Sequence, residues 1–159
     1  LEAKRVSDSA VIMSVQMLPS DANPQGQVHG GTIMKHVDTA AAVAGHRHAR
    51  SLVATARIDE MSFLAPVEVG DLVTLKASVN AVWRTSMEVG VRVETENLLT
   101  GKITHTSSAY LVIVALDEQR RPREVPPLIA ETAEERRRME EAQTRRARRI
   151  ATREHGNGR

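Results

Sequence analysis

Between Asp21 and Arg50 the chain reads DANPQGQVHGGTIMKHVDTAAAVAGHRHAR, and this stretch limits the available folds more than any other. It opens as a polar loop with Pro24 and Gly26 and passes through His29-Gly30-Gly31. No proline follows. Alanine at 40, 41, 42 and 44 favours helix, which predicts one from Thr32 to about His48 with Thr32 as its N-cap. At about 100° per residue, Ile33, Met34, Val37, Ala40, Ala41 and Ala44 form one apolar stripe. Such a helix needs a large apolar surface to cover it.

The rest of the chain supplies that surface. Val11, Met13, Val15 and Met17 alternate as an edge strand within Val6 to Met17. Leu52 to Ser62 is a predicted strand with Val53, Thr55 and Arg57 on one face. Phe63-Leu64-Ala65-Pro66 breaks it, and Val69-Gly70-Asp71 gives a turn. Val73, Leu75, Ala77, Val79, Ala81 and Trp83 then alternate with polar residues. Arg84-Thr85-Ser86 reverses the chain into a strand carrying Met87, Val89, Val91 and Val93. Leu98 to Gly101 turns it again into a last strand, Ile103 to Leu116. Short turns between long strands make an antiparallel meander. The expected class is α+β, with the sheet wrapped around one central helix.

Pro122 to Pro127 reads as an extended connector. Beyond Glu131 the composition shifts to Glu, Arg and Ala, so residues 1–130 form the expected domain and 131–159 a charged helix and tail. Thr132 and Glu135 form a capping-box pattern for a helix from Ala133 to about Ala151. Its few apolar residues predict a solvated helix, frayed at His155-Gly156-Asn157-Gly158. The net charge of +2 conceals an asymmetry: residues 131–159 hold nine Arg and six Glu, leaving the body at −1. A nucleic-acid role would rest on that tail alone. Phe63, Trp83 and Tyr110 are the only aromatics, too few for base-stacking platforms, so no nucleic-acid partner is expected. The absence of Cys excludes disulfides, thiolate metal sites and a Cys nucleophile, and fits a cytoplasmic protein. No apolar run reaches the length of a membrane span, and no signal peptide is recognised. The first residue is Leu1, so the native start is expected to be missing or replaced.

Asp38 lies at the edge of the apolar stripe, where core residues are expected. As an ordinary residue it is solvated or paired with Lys35 or Arg47. As a functional one it is a general base for water or a nucleophile. Asn23 is a turn asparagine or an amide that orients water or a carbonyl. His29 is a surface loop residue or a substrate contact. Gly30 and Gly31 provide turn geometry or an oxyanion hole of backbone N–H groups. Ser86 and Glu88 form the polar face of a strand or a ligand contact. His36, His46 and His48 do not make a metal site: His46 and His48 lie about 200° apart on a helix, and His36 is too far along its axis.

Four ordered blocks carry a resemblance: D-A-N-P-x-G-x-V-H-G-G-T-I-x-K-x-x-D from Asp21 to Asp38, F-L-A-P-V-x-V-G-D-L-V from Phe63 to Val73, R-T-S-M-E-V-G-V-R-V from Arg84 to Val93, and V-P-P-L from Val125 to Leu128. Together they resemble the acyl-CoA thioesterase family of the hotdog fold, over about Val11 to Glu131. The resemblance implies hydrolysis of fatty acyl-CoA to fatty acid and CoA, with no cofactor beyond the CoA of substrate and product. It implies a homodimer as the minimal active unit, commonly a trimer of dimers, with acyl-CoA as the small-molecule partner. Asp38 would act on water or on the thioester, and Asn23 would come from the facing subunit. Gly30 and Gly31 would hold the thioester oxygen. Thr85, Ser86 and Glu88 would lie near CoA or a subunit contact, and Arg84 would meet a CoA phosphate. The segment Arg57 to Met61 departs from the family pattern and leaves chain-length preference open.

Two rival functions remain. A hotdog hydratase needs a His two residues after the Asn-Pro pair, whereas His29 follows Pro24 by five. A non-catalytic acyl-CoA binder would lack the carboxylate and carry a DNA-binding extension. Here Asp38 is present, and the basic tail shows no helix-turn-helix pattern.

Overall fold

A computed structural model describes residues 1–157. In chain order the elements are β1 (Lys4–Arg5), α1 (Val6–Ser9), β2 (Val11–Gln16), a 3-10 turn (Pro19–Asp21), α2 (Gly30–Ala49), β3 (Leu52–Phe63), β4 (Leu72–Val82), β5 (Ser86–Glu96), β6 (Ile103–Leu116), β7 (Leu128–Ile129) and α3 (Ala133–Gly156). The main sheet has the order β2-β4-β5-β6-β3 and is antiparallel throughout. β1 and β7 form a separate parallel pair.

The core is the contact between α2 and one face of this sheet. Ile33, Val37, Ala40, Ala41 and Ala44 are buried. They meet Val73, Leu75 and Val79 of β4, Met87, Val89 and Val93 of β5, and Leu111 and Ile113 of β6 in one apolar cluster. Each fully buried side chain of this size stabilises the fold by roughly 1.5–3 kcal/mol. Met34, expected on the stripe, is instead exposed. The helix begins two residues before Thr32. The N-cap is His29, whose C=O accepts from the N–H groups of Thr32 and Ile33. Thr32 therefore lies inside the first turn and caps nothing. At the other end Arg50 closes the helix in a left-handed conformation, its N–H donating to His46 C=O.

The meander follows the expected order, with bulges that alternation alone does not show. Val79 pairs with Val89 and Ala81 with Glu88, so Asn80 is an extra residue in β4. Past it the facing reverses. Ala81 sits opposite Glu88, and Val82 rather than Trp83 packs on the helix side. In β3 the register shifts between Thr55 and Arg57 and again between Ile58 and Glu60. Val53, Ile58 and Met61 pack against the core, while Arg57 points away and pairs with Asp59. β2 is the predicted edge strand, although Val6 to Ser9 form a helical turn before it.

The C-terminal helix is not simply solvated. It starts at the predicted Thr132–Glu135 capping box and extends through Gly156, past the expected end. It lies on the outer face of the sheet, with Ala142 buried and Trp83 Nε1 donating to Gln143 Oε1. Gly158, the last residue of the expected frayed end, lies outside the described residues. No described helix is long and apolar enough to cross a membrane.

His48 clamps the connector to the end of α2. Its ring is fully buried, and Nε2–H donates to Pro126 C=O at 2.8 Å. Its Nδ1 has no partner among the described residues. Lys4 Nζ donates to the His48 C=O. Burial holds the imidazole below its ordinary value of 6.5 despite the bond to Pro126. The unfolded chain therefore binds this proton at a higher pH than the folded one. The stability from a neutral His48 is complete above about 6.5 and is lost as pH falls toward the lowered folded value. Urea unfolding at about pH 7.5 and pH 5 should show a lower midpoint in acid, and a smaller pH slope in His48→Gln.

Candidate active site

The entry to α2 is built by a stitched loop. Asn23 N–H donates to Gln27 C=O at 2.6 Å, and Asn23 Oδ1 accepts from the N–H groups of Gln25 and Gln27 at 3.0 and 3.1 Å. Gly26 takes φ +84°, a conformation that suits glycine. Val28 N–H donates to Val67 C=O, and His29 N–H to Asp21 C=O. Since two N–H donors converge on Oδ1, the side-chain NH₂ of Asn23 is the half left to face outward, and it has no partner among the described residues.

His29, Gly30 and Gly31 are exposed at the helix start. With Thr32 and Ile33 N–H groups bonded to His29 C=O, the N–H groups of Gly30 and Gly31 donate to no internal partner among the described residues. A Cβ on Gly31 would meet nothing within 4 Å, and one on Gly30 would touch the Phe63 ring at 3.5 Å. Beside Gly30 an open apolar cleft of about 300 Å³ is lined by Val28, Ile33, Phe63, Leu64 and Val67. Two free donors at the positive end of a helix dipole can stabilise a developing oxyanion.

Asp38 stands two turns further along α2 and is half-buried. Its Oδ1 accepts from Thr55 Oγ1 at 2.6 Å. No ion pair joins it to Lys35 or Arg47 among the described residues, and Arg47 instead donates to Ala10 C=O. One carboxylate oxygen is thus held by a hydroxyl while the other is free to take a proton or attack a carbonyl. Thr55 is the residue sequence reasoning missed. Strand alternation placed it on one face with Val53, but nothing in the sequence shows that its hydroxyl meets Asp38. No hydrogen bond links Asn23 to Asp38 among the described residues.

The second predicted group lies elsewhere. Thr85 C=O accepts from Ala115 N–H, at the far end of β6 from Ser107, which pairs with Phe63 beside Gly30. Eight strand residues span roughly 27 Å. Arg84, Thr85 and Ser86 therefore do not join Gly30 and Asp38 within one chain. Arg84 is exposed and makes no ion pair among the described residues. Glu88 must be corrected as a CoA contact in this chain. It is fully buried, and its carboxylate is bound by Arg145 Nε and Nη2 at 3.0 and 2.7 Å and by Asn80 Nδ2 at 3.1 Å. His46 Nδ1 meets Ser51 C=O and His48 meets Pro126, and no group of three potential metal ligands occurs among the described residues.

A long helix laid across an antiparallel sheet, with an open N-terminus and a half-buried carboxylate two turns along it, defines a hotdog domain, and residues 25–102 match the Thioesterase superfamily model. The chain is 35% identical to the acyl-CoA thioester hydrolase YkhA of Bacillus subtilis, over 84% of this chain and 78% of that one. An apo-hexameric acyl-CoA thioesterase superposes with a TM-score of 0.92 at 39% identity, covering 96% of this chain and 97% of that one. The acyl-CoA hydrolase of Staphylococcus aureus, in complex with butyryl coenzyme A, coenzyme A and coenzyme A disulfide, superposes at 0.89 with 32% identity, covering 98% and 94%. The chain belongs to the acyl-CoA thioesterase family. Further structures of the Staphylococcus aureus hydrolase carry alanine in place of one Asn, one Asp and one Thr, spaced 15 and then 17 residues apart. Asn23, Asp38 and Thr55 have the same spacing.

Glu88 is expected to be structural. Glu88→Gln leaves Arg145 with an unmatched, largely buried charge, which should cost about 3 kcal/mol. At fixed protein concentration the urea midpoint should fall with little change in slope.

Proposed function

We propose that the protein hydrolyses acyl-CoA thioesters to a fatty acid and free CoA, at sites shared between two copies of the chain. The observation that carries this reading is the 2.6 Å bond from Thr55 to Asp38, on the helix whose first turn leaves the Gly30 and Gly31 N–H groups free. Because Asp38 lies two turns, about 11 Å, from Gly30 and Gly31 of its own helix, the thioester carbonyl beside Asp38 points at these two donors of the facing subunit. Asp38 either takes a proton from the attacking water or attacks the carbonyl itself. The oxyanion that forms is held by Gly30 and Gly31, and its collapse expels the CoA thiolate, which takes up a proton; where Asp38 was the nucleophile, water then hydrolyses the acyl-Asp38 anhydride to free the fatty acid and restore the carboxylate. His29 borders the same mouth and contacts the substrate. Arg84, with Thr85 and Ser86 in its turn, is a free cation for a CoA phosphate on the assembled surface. CoA enters and leaves as substrate and product, so the reaction calls for no further cofactor.

Asn23 offers its NH₂ to the site of the facing subunit. Its lack of any bond to Asp38 within the chain supports this division. So does β3, which among the described residues pairs only with β6 and leaves its other edge unpaired, beside the exposed apolar residues Leu52 and Phe63. Edge-to-edge pairing of two β3 strands buries both features in a two-fold dimer. Three such dimers would make a hexamer. A cytoplasmic setting accords with the Cys-free chain.

Thiol release from a series of saturated acyl-CoA substrates tests the activity, and the absence of Cys leaves freed CoA as the only thiol. Asp38→Asn should lower kcat more than about 100-fold, and Thr55→Val about tenfold with KM little changed. Binding of acyl-CoA without release of thiol would replace hydrolysis with a sensing role. Co-refolding equal amounts of Asp38→Asn and Asn23→Ala tests the shared site. If the two residues come from different subunits, half the sites in each mixed dimer are intact, and about one quarter of wild-type activity returns. If both come from one chain, none returns.

A further inference from the structure

On the assumption that Asp38 and Thr55 perform the hydrolysis, we propose that the C-terminal helix positions this pair from the opposite face of the sheet, through Arg149 and Asp59. β3 is an edge strand of the chain's sheet, with β6 as its one paired neighbour among the described residues. Two register shifts fall within it, on either side of Arg57 and Ile58. Each bulge inserts one unpaired residue and bends the strand. The first follows Thr55 directly, so the place of its hydroxyl depends on how the bulged segment is held.

That segment is held by charge. Asp59 lies at the second bulge with its side chain 10% exposed. Arg149 Nη1 donates to Asp59 Oδ2 at 2.8 Å, and Arg57 Nε lies 3.2 Å from Asp59 Oδ1. Arg149 also lies 3.9 Å from Glu88 Oε2. Glu88 is itself fixed to β4 by Asn80 and to α3 by the two-pronged contact with Arg145. The Arg145 guanidinium stacks 3.6 Å from the Tyr110 ring centroid, and Tyr110 is the β6 partner of Glu60. Charge-assisted contacts thus run from the rigid centre of the sheet through α3 to the bulge beside Thr55. A misplacement of about 1 Å near a reacting group can cost as much as 100-fold in rate. Asp59 and Arg149 touch neither the carboxylate nor the thioester. They are positioning residues that act through Thr55.

A double-mutant cycle separates this role from plain stability. Asp59→Asn and Arg149→Lys are each made in the wild-type and Thr55→Val backgrounds. Steady-state thiol release, Tm and oligomer size are measured for all. In the wild-type background Asp59→Asn should lower kcat about tenfold with KM within twofold, and Arg149→Lys should lie between it and wild type. In the Thr55→Val background Asp59→Asn should cost less than about twofold. Equal losses in both backgrounds, or an unchanged kcat, overturn the proposal. If Asp59→Asn does not fold at the assay temperature, the Arg149→Lys cycle decides by the same criterion. Wild-type turnover with an unaffected Asp59→Asn sinks this inference alone. A wild type that releases no thiol from any acyl-CoA sinks the hydrolase reading and this inference with it.

Discussion

The close approach of α2 to the sheet governs everything else in the molecule. A Cβ on Gly45 would stand 3.0 Å from Ile113 Cγ2, so the helix backbone rests almost directly on β6. Ala40, Ala41 and Ala44, all with zero exposure, keep the helix low along the rest of its length. Small residues on the helix and aliphatic ones on the strands leave little freedom to slide or roll, because interiors packed at crystal density do not deform continuously. The helix axis is thereby fixed, and so is the direction of its first turn. The Gly30 and Gly31 N–H groups and the Asp38 carboxylate inherit their positions from this contact. No surface ion pair could set them with comparable force, since exposed pairs are worth about 1 kcal/mol at most.

The parts of the fold that depend on this apolar contact were legible in the sequence. The alanine-rich run announced α2, and alternation in Met87 to Val93 and in Ile103 to Leu116 gave β5 and β6 their inward faces. Asp38 stood out because a carboxylate lay where packing residues belong. What alternation could not show was every place where one extra residue enters a strand. The bulge at Asn80 reversed the facing of Ala81 and Val82, and those in β3 turned Arg57 away from the helix. Bulges depend on cross-strand register, which is a property of two segments and is invisible in either alone. Thr55 stayed hidden for the same reason. The threonine could be read, but the meeting of its hydroxyl with Asp38 is set by how the helix lies on the strand.

The C-terminal helix shows a second limit of pattern reading. Its apolar residues are too sparse to form a stripe, and its docking does not rely on one. Arg145 lays a flat guanidinium on Tyr110, and Arg146 lies 4.6 Å from the Trp83 ring centroid. Arginine combines an apolar stem, a stacking face and a fork for carboxylates. A helix rich in Arg and Glu can therefore cover a sheet face while reading as a solvated one. What marks the docked face is on the sheet: a glutamate at position 88 in a strand of valines, flanked by Asn80. A buried carboxylate needs a cation, and within 131–159 the chain has arginines at spacings of four residues, Arg145 and Arg149, that deliver two to one patch.

Asn23 shows why one side chain can serve both the loop and the proposed reaction. Its Oδ1 gathers the N–H groups of Gln25 and Gln27 and closes the turn that leads into α2. That bonding fixes the amide plane, so the NH₂ group points in a set direction without any partner of its own. Folding consumes the acceptor half, and the donor half is presented at no further conformational cost. Aspartate at this position would close the same turn and offer no donor. It would also bring a negative charge toward a site where, on the proposed mechanism, Asp38 approaches a carbonyl that is becoming negative, and the two effects would oppose that reaction together. Serine would supply a donor, but its one oxygen has a shorter reach and would have to serve as acceptor and donor at once, and the direction of the hydroxyl would be unfixed. The amide is therefore the side chain that suits both the turn and the proposed reaction. The loop that presents it is tied to the Val67 segment through Val28, close to the cleft at the start of α2.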